Sequence, residues 1–434
     1  MNKAILDIEV QEYINGHLKD DVHRIAMSNS PFEAVTAQEL AGQIAAKNRS
    51  DKKLPTWFNT AGIYYPQLLS VEQSSSERTA TYKATLIVGN DVLDLTGGFG
   101  VDSACFSKVA ETVTHCELLT ELSEIAAHNA QVLRLSNIDF LNTDGIQYLQ
   151  NAKKSFATIY IDPARRGKAG KVFMLKDCSP NVVDNLDLLL AKASRVIIKT
   201  SPLLDISAGI RELKNVSEVQ IISVKNECKE LLFILEPGVE NQWTKITSIT
   251  INESIKKVTF KKSTVEPQQA AVTEGAFLSI NGLPTAMKPE NVIPSRPATW
   301  TRTTEEHSAK LLQNELKRYL YEPDVALLKS GAFDAIGELF NLEKLDTQSQ
   351  LYTADHFTPK FPGRIFIIEN VLTKKELKKQ KELTGNVIVR NYPAKADELT
   401  KAFKIKSSGE TFLIFTKVRK TGYLILKASI LQHY

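Results

Sequence analysis

Three acidic side chains and one glycine-rich turn fall in a single stretch of the chain, and their spacing suits a ligand that carries a nucleoside. The turn is Thr96-Gly-Gly-Phe-Gly100, reached from the short apolar run Val92-Leu-Asp-Leu and followed at once by a helical pattern from Val101. Glycines let the backbone turn sharply and approach a ligand, and a helix opening directly afterwards offers free N–H groups. Glu117 ends the next β-rich run, 17 residues beyond Gly100, where a carboxylate takes both hydroxyls of a ribose. Asp144, in Asn142-Thr-Asp-Gly145, follows the third run and is placed to accept from an adenine amine. Asp162 ends the fourth, in Ile159-Tyr-Ile-Asp-Pro-Ala-Arg-Arg166. Each acid alone also fits a helix N-cap; the spacing of all four features argues for a shared crevice. The pattern G-x-x-x-x-G-K-[ST] is absent, against a P-loop nucleotide hydrolase.

These residues need a parallel sheet to bring them together. Strand-like runs at Val92–Thr96, Val113–Glu117, Ile138–Asn142, Thr158–Asp162, Arg195–Thr200, Val219–Val224 and Leu231–Leu235 alternate with helical patterns. The helices are expected at Val101–Val109, Ser123–Leu135, Asp144–Gln150, Val182–Ala191 and Ile206–Leu213. Such alternation predicts an α/β fold with helices on both faces, its last two strands forming an antiparallel hairpin. Residues 1–70 read as helical, with a helix from Phe32 to Lys47 and Pro31 in its first turn. Beyond 236, a β-rich, turn-rich region begins at Trp243 and runs to about 320 as a linker with a small ferredoxin-like element. Helices at Glu305–Tyr321 and Asp324–Phe340 follow. Then come strand Arg364–Ile368, helix Lys374–Leu383, strand Val387–Asn391, helix Ala396–Phe403 and strands Thr411–Thr416 and Tyr423–Lys427. The expected division is 1–70, 71–236, 237–320 and 321–434.

The net charge of +4 over 434 residues conceals a partition. Residues 1–236 hold 25 basic against 29 acidic side chains, and 237–434 hold 29 against 21. Within 374–427 alone there are 14 basic and 5 acidic. A mildly acidic front and a basic back suit one module for chemistry and another for a polyanion, or a merely solvated lysine-rich face. No apolar run reaches the roughly 20 residues that span a bilayer, and the acids near Met1 do not fit an export signal, so a cytoplasmic protein is expected. The four cysteines show no C-x-x-C spacing and the seven histidines no H-x-x-x-H, so neither a disulfide framework nor a metal is expected. His115, Cys105 and Cys116 sit in core-patterned runs, which leaves Cys178 and Cys228 as the candidates for a nucleophilic thiol.

Residues 70–236 resemble the class I S-adenosylmethionine-dependent methyltransferases. Asp94-x-Thr96-x-Gly98-x-Gly100 matches that family's acid-x-Gly-x-Gly-x-Gly loop, with threonine in place of the first glycine. The likeness implies a Rossmann-like seven-stranded sheet and S-adenosylmethionine as cofactor, held by Asp94, Thr96, Gly97, Gly98, Gly100, Asp102, Glu117, Leu118, Asp144 and Gly145. The family's methyl-transfer motif falls on Asp162-Pro163-Ala164-Arg165, making Asp162, Pro163 and Arg165 the catalytic candidates. Ala164 and Arg165 replace the Pro-aromatic pair of enzymes that methylate adenine N6, which counts against that target. The order of helical N-terminus, methyltransferase core and basic α+β C-terminus is further similar to a bacterial group with a THUMP-like C-terminal domain. Matching stretches are Glu72–Lys83, Asp162–Arg166, Ile198–Asp205, Asn226–Glu230 and Tyr321–Ala326. This likeness implies structured RNA, rRNA or tRNA, as substrate, with guanine N2 a first target. Ser76 and Lys83 would then lie in a segment closing over the cofactor, or in a polar linker with a capping serine. Lys199 would edge the pocket, since a lysine is costly to bury unpaired, and Arg166 would meet a backbone phosphate or belong to an ordinary loop. The alternatives are methylation of a protein or small molecule, and an RNA-binding protein without catalysis.

Overall fold

A computed structural model describes residues 1–165, 174–239, 243–263, 316–379, 382–407 and 409–434, with short strands at 270–271, 279–280 and 283–284. Arg166, Lys168 and Lys171 lie outside the described residues, as does the expected helix from Glu305 up to residue 315. The chain forms two compact units, one of Met1–Val219 with Leu231–Asn241, the other of Gln220–Glu230 with Gln242–Tyr434.

The strands β1 (Asp91–Asp94), β2 (Thr112–Glu117), β3 (Ile138–Asn142), β4 (Phe156–Ile161), β5 (Ala193–Thr200), β6 (Val216–Val224) and β7 (Glu227–Leu235) lie in the order 3-2-1-4-5-7-6, and of the last two the first unit takes only the residues up to Val219 and from Leu231. The first five pair in parallel, and β7 runs antiparallel to β5 with Val196 opposite Leu235. Strand order reverses at β1 and β4, so the crevice past their carboxyl ends is the ligand position of an open α/β sheet. Val92, Leu93, Ile159, Val196, Ile197 and Ile198 are fully buried, as central parallel strands covered on both faces require.

After short helices at Ile8–Gly16 and Val22–Ala26, the helix read from Phe32, α1, starts later than its apolar pattern suggests, at Ala37, and runs to Lys53. A capping box sets its start: Thr36 Oγ1 accepts from the Glu39 amide, and the Glu39 carboxylate accepts from the Thr36 amide. Pro31 therefore lies outside the helix. Beyond short helices at Pro55–Asn59 and Leu68–Gln73 lie α2 (Glu77–Ala84), α3 (Val101–Phe106), α4 (Thr120–Val132), α5 (Gly145–Asn151), α6 (Leu186–Lys192) and α7 (Ile206–Glu212).

The second unit contains the antiparallel hairpin β8 (Trp243–Ile251) and β9 (Ile255–Ser263). It also holds β10 (Tyr319–Pro323), β11 (Glu343–Lys344), β12 (Tyr352–Ala354), β13 (Gly363–Leu372), β14 (Asn386–Arg390), β15 (Thr411–Val418) and β16 (Gly422–Gln432), ordered 11-12-10-13-16-15-14 in one sheet. Tyr319–Pro323 is thus a strand where helical spacing suggested a helix through Tyr321. All five of its residues are buried, so it shows no alternation to distinguish it from a buried helix. The expected helix Asp324–Phe340 is two, α8 (Val325–Ser330) and α9 (Phe333–Phe340), separated by Gly331 at φ 73°. The expected helix Lys374–Leu383 is the shorter α10 (Lys374–Lys379), and α11 spans Ala396–Phe403 as read. Two matching stretches meet in this unit: Asn226 Oδ1 accepts from the Val325 amide at 2.9 Å, and Ser223 donates to the buried Asp324.

Candidate active site

The glycine turn is built as its sequence requires. Gly98 and Gly100 hold φ of 56° and 83°, a left-handed backbone that strains side-chain-bearing residues. Gly97 is needed for a different reason. A Cβ there would sit 2.0–2.4 Å from the His115 ring, which fills the space beneath the turn. His115 is wholly buried, and burial pushes its imidazole down to about 3, so it is neutral and structural. Ser103 Oγ donates to Asp94 Oδ2 at 2.6 Å and lies 3.0 Å from His115 Nδ1. With Asp94 ionised, Nδ1 therefore carries the ring proton and Nε2, which has no hydrogen bond, is the bare lone pair.

Asp94 is fully buried at the end of β1 and accepts from the Thr96 amide at 3.1 Å. Burial pushes its carboxyl up to about 7, offset only in part by the Ser103 hydroxyl. It shapes the turn from beneath. Glu117 ties the turn to the end of β2: Oε2 accepts from the Gly98 amide at 2.9 Å and Oε1 from the Leu119 amide at 2.7 Å. Beside it Leu118 is 66% exposed, an apolar surface next to a carboxylate at the crevice. That pairing fits a nucleoside, with the base against the leucine and the diol on the remaining lone pairs of Glu117. Asp144 caps α5, its Oδ1 accepting from the Ile146 and Gln147 amides at 2.8 and 3.0 Å. Gly145 serves packing, because a Cβ would lie 2.4 Å from the Leu95 carbonyl oxygen.

Asp162 follows β4, and two contacts fix it. Its amide donates to Thr96 Oγ1 at 2.7 Å, and its Oδ2 pairs with the Lys199 ammonium at the end of β5. The threonine in the glycine-rich turn thus joins that turn to the loop after β4. Pro163 is buried, and Ala164–Arg165 pairs antiparallel with Cys178–Ser179, bringing Cys178 opposite Arg165. The other thiols are poor nucleophiles: burial pushes Cys105 and Cys228 up to about 11 and Cys116 to about 12.

The segment before β1 is structural in its detail. Ser76 caps α2 by accepting from the Thr79 amide at 3.2 Å, and Asp205 caps α7 through the Ala208 amide at 2.7 Å. Lys83, expected near the substrate, is completely buried, so its reach is to protein groups and not to a macromolecular acceptor. Its ammonium contacts Asp102 Oδ1 at 2.8 Å, Ser75 Oγ at 2.5 Å and Tyr160 Oη at 3.2 Å. Ser75 and Tyr160 both donate onward to Asp102 Oδ2, at 2.7 and 3.0 Å. Burial alone would raise the Asp102 carboxyl; the Lys83 and Lys199 ammonium groups, with hydrogen bonds from Lys83 and Ser75, outweigh it and hold the group below its ordinary range. Ser75, α2, α3 and β4 are thereby knotted together two residues before Asp162.

Among the described residues, no group of three or more His, Cys, Asp or Glu side chains could hold a metal, and no helix is long and apolar enough to cross a membrane.

The comparisons agree with this architecture. A ferredoxin-like domain model matches residues 319–362 and a THUMP domain-like model matches 363–427. A crystal structure from Porphyromonas gingivalis W83, described only as a candidate methyltransferase, is similar over 100% of both chains, with 25% identity and a TM-score of 0.78. An uncharacterized RNA methyltransferase of Mycoplasma mobile is 36% identical over 80 residues, 18% of this chain and 22% of that protein. The 23S rRNA (uracil(1939)-C(5))-methyltransferase RlmD of Vibrio cholerae is 32% identical over 104 residues, 23% of this chain and 21% of that protein. The chain spans about a fifth of the length of these curated relatives. Its first unit has the Rossmann-like fold of the class I S-adenosylmethionine-dependent methyltransferases, and a THUMP-like domain stands at its C-terminal end.

Proposed function

We propose that the protein transfers a methyl group from S-adenosylmethionine to a base of structured RNA in the cytoplasm, rRNA or tRNA, with the N2 amine of guanine as first candidate. The observation that carries the reading is Asp162, held at the sheet's carboxyl end by Lys199 and joined through its amide to Thr96 of the glycine turn. The RNA methyltransferases among the relatives, the THUMP-like match and the basic 374–427 stretch support RNA as acceptor.

Bound S-adenosylmethionine supplies an electrophilic methyl on its sulfonium, so the protein's task is to position a nucleophile in line with it. Glu117 would take the ribose diol, Leu118 the adenine face, and the free Oδ2 of Asp144 the adenine amine. Lys199 engages Oδ2 of Asp162 and leaves Oδ1 to accept an N–H of the target amine, aiming its lone pair. Pro163 and Ala164 would wall the base slot, and Arg165 and Arg166 would steer the RNA backbone. Asp162→Asn should lower transfer of labelled methyl into rRNA or tRNA by about 10²–10⁴-fold with cofactor affinity unchanged. Full transfer by that variant would remove Asp162 from the chemistry.

A second reading, methylation of a pyrimidine at C5, draws on Cys178, which stands opposite Arg165 beside the same loop. Mass spectrometry of nucleosides from cells with and without the gene separates the two: loss of N2-methylguanosine supports the first, loss of 5-methyluridine the second.

A further inference from the structure

The β8–β9 hairpin carries an open patch that the reading above does not use. Its register places Lys245 directly opposite Lys261, with Trp243 opposite Ser263. Residues opposite each other on antiparallel strands share a face, and so do residues two apart along one strand, so Trp243, Lys245 and Lys261 project together. The other face is pinned inward: Val258 and Phe260 pack in the core around Tyr319, Tyr321 and Leu327, and Thr244 and Ile246 are buried. Farther along the face of Trp243 and Lys245, Thr247 and Ile249 are buried as well, so the open patch is confined to the end of the hairpin.

Two features of the patch work against the fold's own stability. Trp243 leaves 48% of its surface in solvent, and both lysines are exposed. Like charges directly opposite on paired strands repel, and among the described residues neither Lys245 nor Lys261 has a carboxylate partner. A polyanion that also presents flat aromatic rings relieves both, because phosphates neutralise the lysines while a base covers the indole.

We propose that Trp243, Lys245 and Lys261 form a contact site for a single-stranded stretch of RNA, one base stacking on Trp243 and the flanking phosphates lying on the two lysines. The choice of RNA over other polynucleotides rests on the function proposed above; the stacking and charge argument does not. The site lies outside the 363–427 stretch matched by the THUMP-like model.

The test is binding of a fluorescein-labelled 12-nucleotide single-stranded RNA of mixed sequence to the full chain, between 50 and 200 mM salt. Trp243→Ala should weaken binding about 5- to 100-fold, while Trp243→Phe, which keeps a stacking face, should retain most of the affinity. Lys245→Gln with Lys261→Gln should flatten the slope of log affinity against log salt by about 1.4, the loss of two single-strand phosphate contacts. S-adenosylmethionine binding, followed by calorimetry, should stay at the wild-type value in all of them. Wild-type affinity and slope in the alanine and glutamine variants would overturn the proposal, as would a tenfold preference for a duplex of the same sequence. Failure of every RNA fraction to accept a methyl group, with patch-dependent binding intact, would instead overturn the catalytic reading and leave this site standing.

Discussion

Replacing Lys83 by methionine isolates the contribution of the buried knot beside the candidate active site. Methionine matches the lysine stem in length but not its charge, so the packing around α2 is largely kept. What changes is Asp102, a carboxylate whose surroundings are buried and which loses its direct ion-pair partner, keeping the Ser75 and Tyr160 hydroxyls and the weaker pull of the Lys199 ammonium. Breaking a buried pair by removing one partner costs about 3–5 kcal/mol, because the other charge is left uncompensated. For a unit the size of Met1–Val219 each kcal/mol lowers the melting temperature by about 2–4 °C, so the expected fall is roughly 6–20 °C. The pH dependence supplies the fingerprint. In the wild type the Asp102 carboxyl is held low, and its stabilising contribution is present above the unfolded value near 3.8 and lost as pH falls. Without Lys83, burial dominates and the carboxyl rises, so the penalty is largest at pH 8 and shrinks toward pH 5 as the group takes up a proton. Scanning calorimetry of the full chain at the two pH values measures this. The double variant Lys83→Met/Asp102→Leu, with no charge left to bury, should recover most of the loss. A single variant melting within 2 °C of wild type at pH 8, or a double variant no more stable than the single, would refute the reasoning.

Two further outcomes follow from the turn. Gly97→Ala forces a methyl group to within 2.0–2.4 Å of the His115 ring, and should cost about 1–3 kcal/mol in urea unfolding together with most of the cofactor affinity; wild-type cofactor binding would show that the ring yields. Asp94, at about 7 when folded against 3.8 unfolded, contributes stability that is complete below pH 3.8 and lost as pH rises through 7. On the order of 4 kcal/mol is at stake over that window, and Asp94→Asn should lack this dependence; parallel stability–pH curves for the two proteins would contradict it.

The alternating strands of the first unit were legible because β-branched runs between turn residues mark buried parallel strands well, and every such run from Val92 to Leu235 falls on a strand. The crevice acids were legible by position, since strand ends are where open sheets bind ligands. Their partners were not. Asp144 at a helix start reads equally as a cap and as a ligand, and its Oδ1 is a cap. Lys83 and Asp102 are 19 residues apart and meet only because α2 and α3 pack together, which no local pattern encodes. Tyr319–Pro323 departs from its helical spacing for a related reason: burial on both faces erases the alternation that identifies a strand. Trp243, Lys245 and Lys261 become a group only once the hairpin register is known.

The hydroxyl of Thr96 has a kinetic consequence. By accepting from the Asp162 amide it makes the turn that would cradle the cofactor and the loop that would orient the acceptor one mechanical piece. A displacement of the first is carried to the second. Steady-state kinetics should therefore be ordered, with the methyl donor adding before the acceptor, and Thr96→Gly should relax that order toward random addition.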